Sequence, residues 1–207
     1  MTLAVLSLFI PTFFFVSITP GMCMTLALTL GMRIGYRRTL WMMLGEVIGV
    51  AVIAIATVLG IASIMLNYPW VFTILKSVGA GYLLYLGILM WQSKGKMALS
   101  GEEAGDAVNS QKWALVSQGF ITAIANPKGW AFMISLLPPF IDSDRPLPDQ
   151  LFILVMIIMF FEFLCMTIYA TGGKGLKRLL NNPKNLRLLN RISGSLLMGV
   201  GVWLFMS

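Results

Sequence analysis

Histidine is absent from the 207 residues, cysteine occurs twice, and aspartate and glutamate together number only 8. Without imidazole there is no ordinary route to haem ligation, to the usual zinc sites, to a Ser-His-Asp triad or to the commonest general base. Cys23 and Cys165 stand far apart, each inside an apolar run, so they form neither a CxxC redox pair nor a metal cluster and read as two small buried thiols. No cofactor or metal is expected. Charged residues make up 11% of the chain, too few to clothe a globular surface. The first of them is Arg33, so the N-terminal segment lacks the basic region of a secretory signal peptide and is expected to remain as a membrane segment.

What is present is apolar: 58% of residues, well above a soluble domain. The chain reads as an all-α integral membrane protein whose length is spent on crossings. Its net charge of +7 does not point to nucleic acid, because the basic residues fall in short gaps between apolar runs and gather on no folded face.

Runs near the spanning length of about 20 residues fall at Leu3–Leu30, Leu40–Leu66, Trp70–Trp91, Trp113–Phe140, Leu151–Thr171 and Leu188–Phe205. About six transmembrane helices are therefore expected. Ser93–Gln111 is the one gap long and polar enough to be a flexible linker, and it divides the chain into a first three-helix unit (1–92), a linker (93–112) and a second three-helix unit (113–207).

Twelve of the Lys and Arg residues lie in or beside the first, third and fifth gaps, against Arg145 alone in the second and fourth. The positive-inside rule then puts 33–38, 93–112 and 172–187 in the cytoplasm and both termini outside. The first run is over-long for one straight crossing, and Thr19-Pro20-Gly21 supplies a break, since proline removes a backbone donor and glycine weakens a helix. A re-entrant first segment, with the N-terminus inside, stays open.

The two halves echo each other. Pro20 answers to Pro127, beside Thr19 and Asn126 respectively; Glu46 answers to Glu162; Lys76-Ser-Val-Gly79 answers to Arg191-Ile-Ser-Gly194, each helix running on to a tryptophan, Trp91 and Trp203. Units of three crossings repeated in one chain must lie in opposite orientations, which is the inverted-repeat design of many secondary transporters, and matched proline-interrupted segments are the best pointer to a substrate site. Prolines are also common in membrane helices for no such reason.

The acids weigh more. By helical rise, Glu46 lies roughly 12 Å past Arg38 and Glu162 roughly 16 Å past Leu151, both inside the bilayer. A charge there costs at least about 2.5–3.5 kcal/mol and is rarely kept without a partner or a task. Gly45 and Gly49 flank Glu46 at the spacing of a face that admits a neighbouring helix. Proton coupling and pairing with a substrate ammonium group are two roles open to these acids. A structural ion pair with Lys128 or Lys76 is a third. Lys128, directly after Pro127 and roughly 22 Å past Trp113, faces the same choice: a substrate carboxylate or Glu162. The candidate pathway is thus Thr19, Pro20, Gly21, Glu46, Asn126, Pro127, Lys128 and Glu162. The glycine stripes Gly31xxxGly35, Gly79, Gly81, Gly87 and Ser195xxxGly199 read as packing faces, within the chain or across a dimer.

Taken together, Thr19-Pro20-Gly21, Gly31-Met-Arg33 with Gly35, Gly45-Glu46 with Gly49, Lys76-Ser-Val-Gly79-Ala-Gly-Tyr82-Leu-Leu-Tyr85-Leu-Gly87, Asn126-Pro127-Lys128 and Pro138-Pro139-Phe140 resemble the LysE/RhtB superfamily of amino-acid exporters over essentially the whole chain. The resemblance implies a bacterial inner-membrane exporter of amino acids or their derivatives, driven by the proton motive force, with about six helices and a homodimeric assembly. Members usually continue Thr-Pro-Gly with another proline and Asn or Asp, where this chain has Met22-Cys23. That departure alters the side chains beside the break and so bears on which substrate is carried. The family often has an acid at the place of Glu46. The expected partners are a small zwitterion, protons, lipid and a second copy of the chain. The competing class is a passive channel for small polar solutes. An intramembrane enzyme is disfavoured by the lack of a nucleophile–base or metal constellation.

Overall fold

The computed structural model describes residues 3–67, 69–93, 111–142 and 145–206. Helices account for nearly all of them: α1 (Leu3–Ile18), α2 (Met22–Ile34), α3 (Tyr36–Asn67), α4 (Pro69–Gln92), α5 (Lys112–Ile124), α6 (Pro127–Leu136), α7 (Leu147–Asn181) and α8 (Pro183–Met206), with a 3-10 turn at Pro138–Phe140 after α6. Among the described residues eight α-helices stand where six apolar runs are read from the sequence, because two of the runs are cut. The first breaks between Ile18 and Met22 and bends by 56° there. The fourth breaks between Ile124 and Pro127. Most of the expected linker, residues 94–110, lies outside the described residues.

Two expected loops are corrected. The gap at 33–38 shrinks to Gly35, which ends α2 with φ at +78°, a conformation that favours glycine, and lets α3 begin at the next residue. The gap at 172–187 is helical almost throughout: α7 continues to Asn181 with a single kink at Gly173, φ +48°. Leu180 of this tail is buried, so one apolar side of a polar-looking segment is docked on the protein.

Exposed apolar side chains dominate the outside. On α3, Leu44, Ile48, Val52, Ile55 and Leu59 are all exposed and recur at three- and four-residue steps, one helical face turned outward; α7 does the same with Phe152, Met156, Phe160 and Phe163. In water such a surface would be a liability; toward lipid it is the ordinary exterior. Tyr36–Gly60 of α3 and Leu147–Asn181 of α7 are long and apolar enough to cross a membrane, and the bent pair Leu6–Ile18 with Met22–Ile34 makes a third such unit.

Small residues set the helix contacts. A Cβ on Gly45 would run into the Val116 backbone, one on Gly119 into Met42, and one on Gly49 would lie 2.7 Å from the Ala123 Cβ. Gly119 also lies against the Glu46 backbone N, and Gly45 with Val116, Glu46 with Gly119 and Gly49 with Ala123 ascend together along the chain, so α3 and α5 pack closely in parallel. A Cβ on Gly31 would meet the Ala170 backbone, joining α2 to α7. On α4 and α8 the order reverses: Gly87 opposes Gly194 while Ala80 opposes Gly201, and Trp91 Nε1 donates to Ser195 Oγ at 2.8 Å. α4 and α8 are antiparallel. Gly35, Gly81 and Gly199 meet nothing within 4 Å among the described residues, so these expected packing glycines make no contact there.

Candidate functional site

Both broken helices need their loose backbone groups satisfied, because a membrane offers no water to do it. At α6 this is a local device: the Asn126 side chain accepts the Lys128 backbone N–H at 3.1 Å, and Pro127 occupies the first helical turn, where its missing N–H costs nothing. Asn182-Pro183-Lys184 repeats it at the start of α8, Asn182 Oδ1 accepting the Lys184 N–H at 3.0 Å. The triplet is therefore a helix start in its own right. What distinguishes the first copy is where its lysine goes.

The Lys128 side chain turns inward to the end of α1, where its Nζ donates to the carbonyls of Val16 and Thr19, each at 3.2 Å. An ammonium at a helix C-terminus is favourably placed against the dipole. Other groups finish the same end: Tyr169 OH donates to the Ile18 carbonyl at 2.7 Å, Thr19 Oγ1 to Phe15 O at 2.7 Å, and Ser193 Oγ to the same oxygen at 2.8 Å. The end of α5 is closed by Trp130 Nε1, which donates to Ile124 O at 2.8 Å.

Between the two breaks lies a cavity of about 50 Å3. Ser17, Thr19, Gly21, Cys23, Glu46, Asn126, Lys128 and Glu162 supply its polar and small walls, and Phe13, Val50, Ile53 and Phe132 its apolar ones. Glu46 comes from the middle of α3 and is 1% exposed; its Oε2 is buried and has no hydrogen-bond partner. Glu162 comes from α7 and accepts a hydrogen bond from Ser17 Oγ at 2.8 Å. Neither acid makes an ion pair with Lys128; the ion pair of Arg145 with Asp142 at 3.2 Å involves none of the three. The Lys76 side chain lies outside what the structure describes.

Of the eight residues picked from sequence, six line this cavity: Thr19, Gly21, Glu46, Asn126, Lys128 and Glu162. Pro20 borders a second hollow beside it, and Pro127, exposed, lines neither. Sequence reading misses Ser17, Cys23 and Ser193. Cys23 is buried as expected, yet its Sγ receives the Asn126 Nδ2 donor at 3.5 Å and so ties α2 to the second break. Ser17 and Thr19 interrupt an otherwise phenylalanine-rich run, and that polar interruption is the signal that could have found Ser17.

Arranged this way, two carboxylates and an ammonium share one water-poor space, and an acid oxygen is held there with nothing to bind. Such a site is equipped to take up a proton, a small cation or the ends of a zwitterion. At about 50 Å3 it has room for roughly four waters, so a whole amino acid requires it to widen.

Comparison with known proteins places this chain in a family. The family model described as LysE type translocator matches residues 14–207. A homoserine/homoserine lactone efflux protein of Salmonella typhimurium is 29% identical over 188 residues, covering 91% of this chain and 89% of the relative. A leucine efflux protein of Klebsiella pneumoniae is 26% identical over 192 residues, 89% and 87% of the two chains. An uncharacterized membrane protein of Vibrio cholerae is 27% identical over 190 residues, 91% and 90%. No solved structure matches.

Proposed function

Because this chain belongs to the LysE type translocator family, we propose that it is a bacterial inner-membrane secondary transporter that exports amino acids or their derivatives in exchange for protons. The single observation that carries this reading is the cavity between two broken helices, walled by Glu46, Glu162 and Lys128 without an ion pair among them. A purely structural role for these charges would call for mutual neutralisation, since an unpaired buried charge is costly. Here Glu46 keeps a bare oxygen. In the proposed cycle Glu46 and Glu162 alternately hold protons and a substrate ammonium group.

Six crossings in two inverted units complete the proposal: α1 with α2, α3 and α4, then α5 with α6, α7 and α8. The parallel contact of α3 with α5 and the antiparallel contact of α4 with α8 are the relations that alternating crossings require. The apolar exterior leaves room for the homodimer that the resemblance implies. A passive channel would need a continuous wetted wall, and a small cavity of about 50 Å3 favours alternating access instead.

Two outcomes test this reading. Cells loaded with leucine- or homoserine-containing dipeptides should export the freed amino acid faster when they make the protein; rates equal to cells without it, over all twenty amino acids, would defeat the proposal. For topology, a thiol placed by Lys177→Cys, in the basic tail of α7, should escape an impermeant maleimide in intact cells and react in everted vesicles. Reaction in intact cells would reverse the orientation argued from the basic residues.

A further inference from the structure

A second hollow of about 270 Å3 lies against the first. Ser93 at the end of α4 and Asn190 near the start of α8 line it, their side chains joined at 2.8 Å, so it belongs to the face where the basic gaps gather. Thr19, Lys128 and Phe132 line both hollows. The partition is therefore thin, and its charged member is Lys128, the one cation among the described residues that border either space.

Two neutral carbonyls at the end of α1 hold the Lys128 ammonium, and the ring of Phe132 lies 5.6 Å from its Nζ. An ammonium has three donors, and the two carbonyls take two of them. A carboxylate arriving in the larger hollow would offer a full negative charge, a stronger partner than a carbonyl, and would win the ammonium from α1. The tie it breaks joins the end of α1 to the start of α6, which are the two interrupted places in the fold. Segments that end at a break are where a helix can swing without unmaking its own hydrogen bonds.

We infer that Lys128 is both the reader of the substrate's carboxylate and the latch between the two hollows: a free carboxylate in the larger one draws Lys128 off Val16 and Thr19 and so joins it to the inner cavity, where Glu46 and Glu162 receive the ammonium end. This rests on the export reading above and sharpens it. The chain should carry amino acids with a free carboxylate and discriminate against their amides, and lysine at this position sets that selectivity.

Purified protein in proteoliposomes provides the test, with labelled leucine, homoserine and leucinamide as probes. The wild type should move the two acids about tenfold faster than the amide, the scale of one charge-assisted contact. Lys128→Met should bring leucine down to the leucinamide rate, while Lys128→Arg keeps the preference. Latch opening has its own reporter in Cys23, which lines the inner cavity. With Cys165 replaced by alanine and no substrate present, Cys23 should react with a small thiol reagent several times faster in Lys128→Met than with Lys128 intact. Equal rates for leucine and leucinamide in the wild type, or an undiminished preference in Lys128→Met, overturns the inference, as does an unchanged Cys23 rate. If Lys128→Met fails to fold, the wild-type acid-to-amide comparison still decides it. If no probe moves in the wild type, export itself has failed, and Cys23 reactivity alone decides the latch.

Discussion

Glu46→Gln is expected to bring efflux against a gradient down to the level of cells lacking the protein, while the variant inserts and accumulates normally. Glutamine has the shape of glutamate, and a neutral amide costs less to bury than a carboxylate, so nothing in folding is asked of the change. The Oε2 that it replaces has no hydrogen bond to lose. What disappears is titration. Glu162→Gln should behave alike, because the amide oxygen can still accept the hydrogen bond that Ser17 now gives to Oε1. Exchange of substrate across the membrane, which needs no net proton movement, can survive in both. Radiolabelled efflux and exchange, normalised to protein by immunoblot, separate the two activities. Should Glu162 serve Lys128 structurally, Glu162→Gln would lower stability and Lys128→Met in the same chain would restore protein and transport together. Wild-type efflux and pH dependence in both glutamine variants would strike these acids from the pathway.

Gly45→Leu should be the most damaging substitution to the fold. The first atom of any side chain at this position collides with the Val116 carbonyl, carbon and Cα, all of them backbone, so no rotamer relieves the contact. α3 and α5 would have to part along the face where Gly49 and Gly119 also pack, and that parting would pull Glu46 away from the cavity. Overpacking a fitted interface costs typically about 1–3 kcal/mol and more when the obstacle cannot move. Little folded protein should survive extraction, judged by monodispersity in detergent and thermal unfolding. Gly60→Ala on the same helix, with nothing within 4 Å of its Cβ among the described residues, is the matched control and should be tolerated. A well-behaved, active Gly45→Leu protein would contradict the close α3–α5 contact.

The parts of this fold that were legible in sequence are those where the membrane leaves chemistry few options. A proline beside a glycine or an Asn cap in an apolar run marks a break, and both Pro20 and Pro127 stand at breaks, whereas Pro11 is accommodated inside α1. An acid in hydrocarbon has to face inward, and Glu46 and Glu162 meet in one cavity across α3 and α7. Illegible were contacts made by backbone and by distant partners. That Lys128 would settle on the carbonyls of Val16 and Thr19 depends on how α1 bends, and no residue type announces a carbonyl. Ser17 and Glu162 are 145 residues apart and no motif joins them. The charges of Gly172–Arg187 suggest a loop, yet Leu180 and Leu186 are buried on a helical side, and only Gly173 and Asn182 interrupt the helix. The apolar run around Cys23 announces its burial but not its place in the wall of the site.

The central claim is that amino-acid export is driven by protons passing through Glu46 and Glu162. Its most direct measurement follows both fluxes at once in proteoliposomes: labelled leucine or homoserine by filtration, and lumenal pH by a trapped dye, with no imposed gradient except that of the amino acid. The wild type should show amino-acid efflux accompanied by proton movement in the opposite direction, and both signals should vanish together in Glu46→Gln and Glu162→Gln. Amino-acid flux with no accompanying proton movement in the wild type, or undiminished coupling in both variants, would contradict the claim.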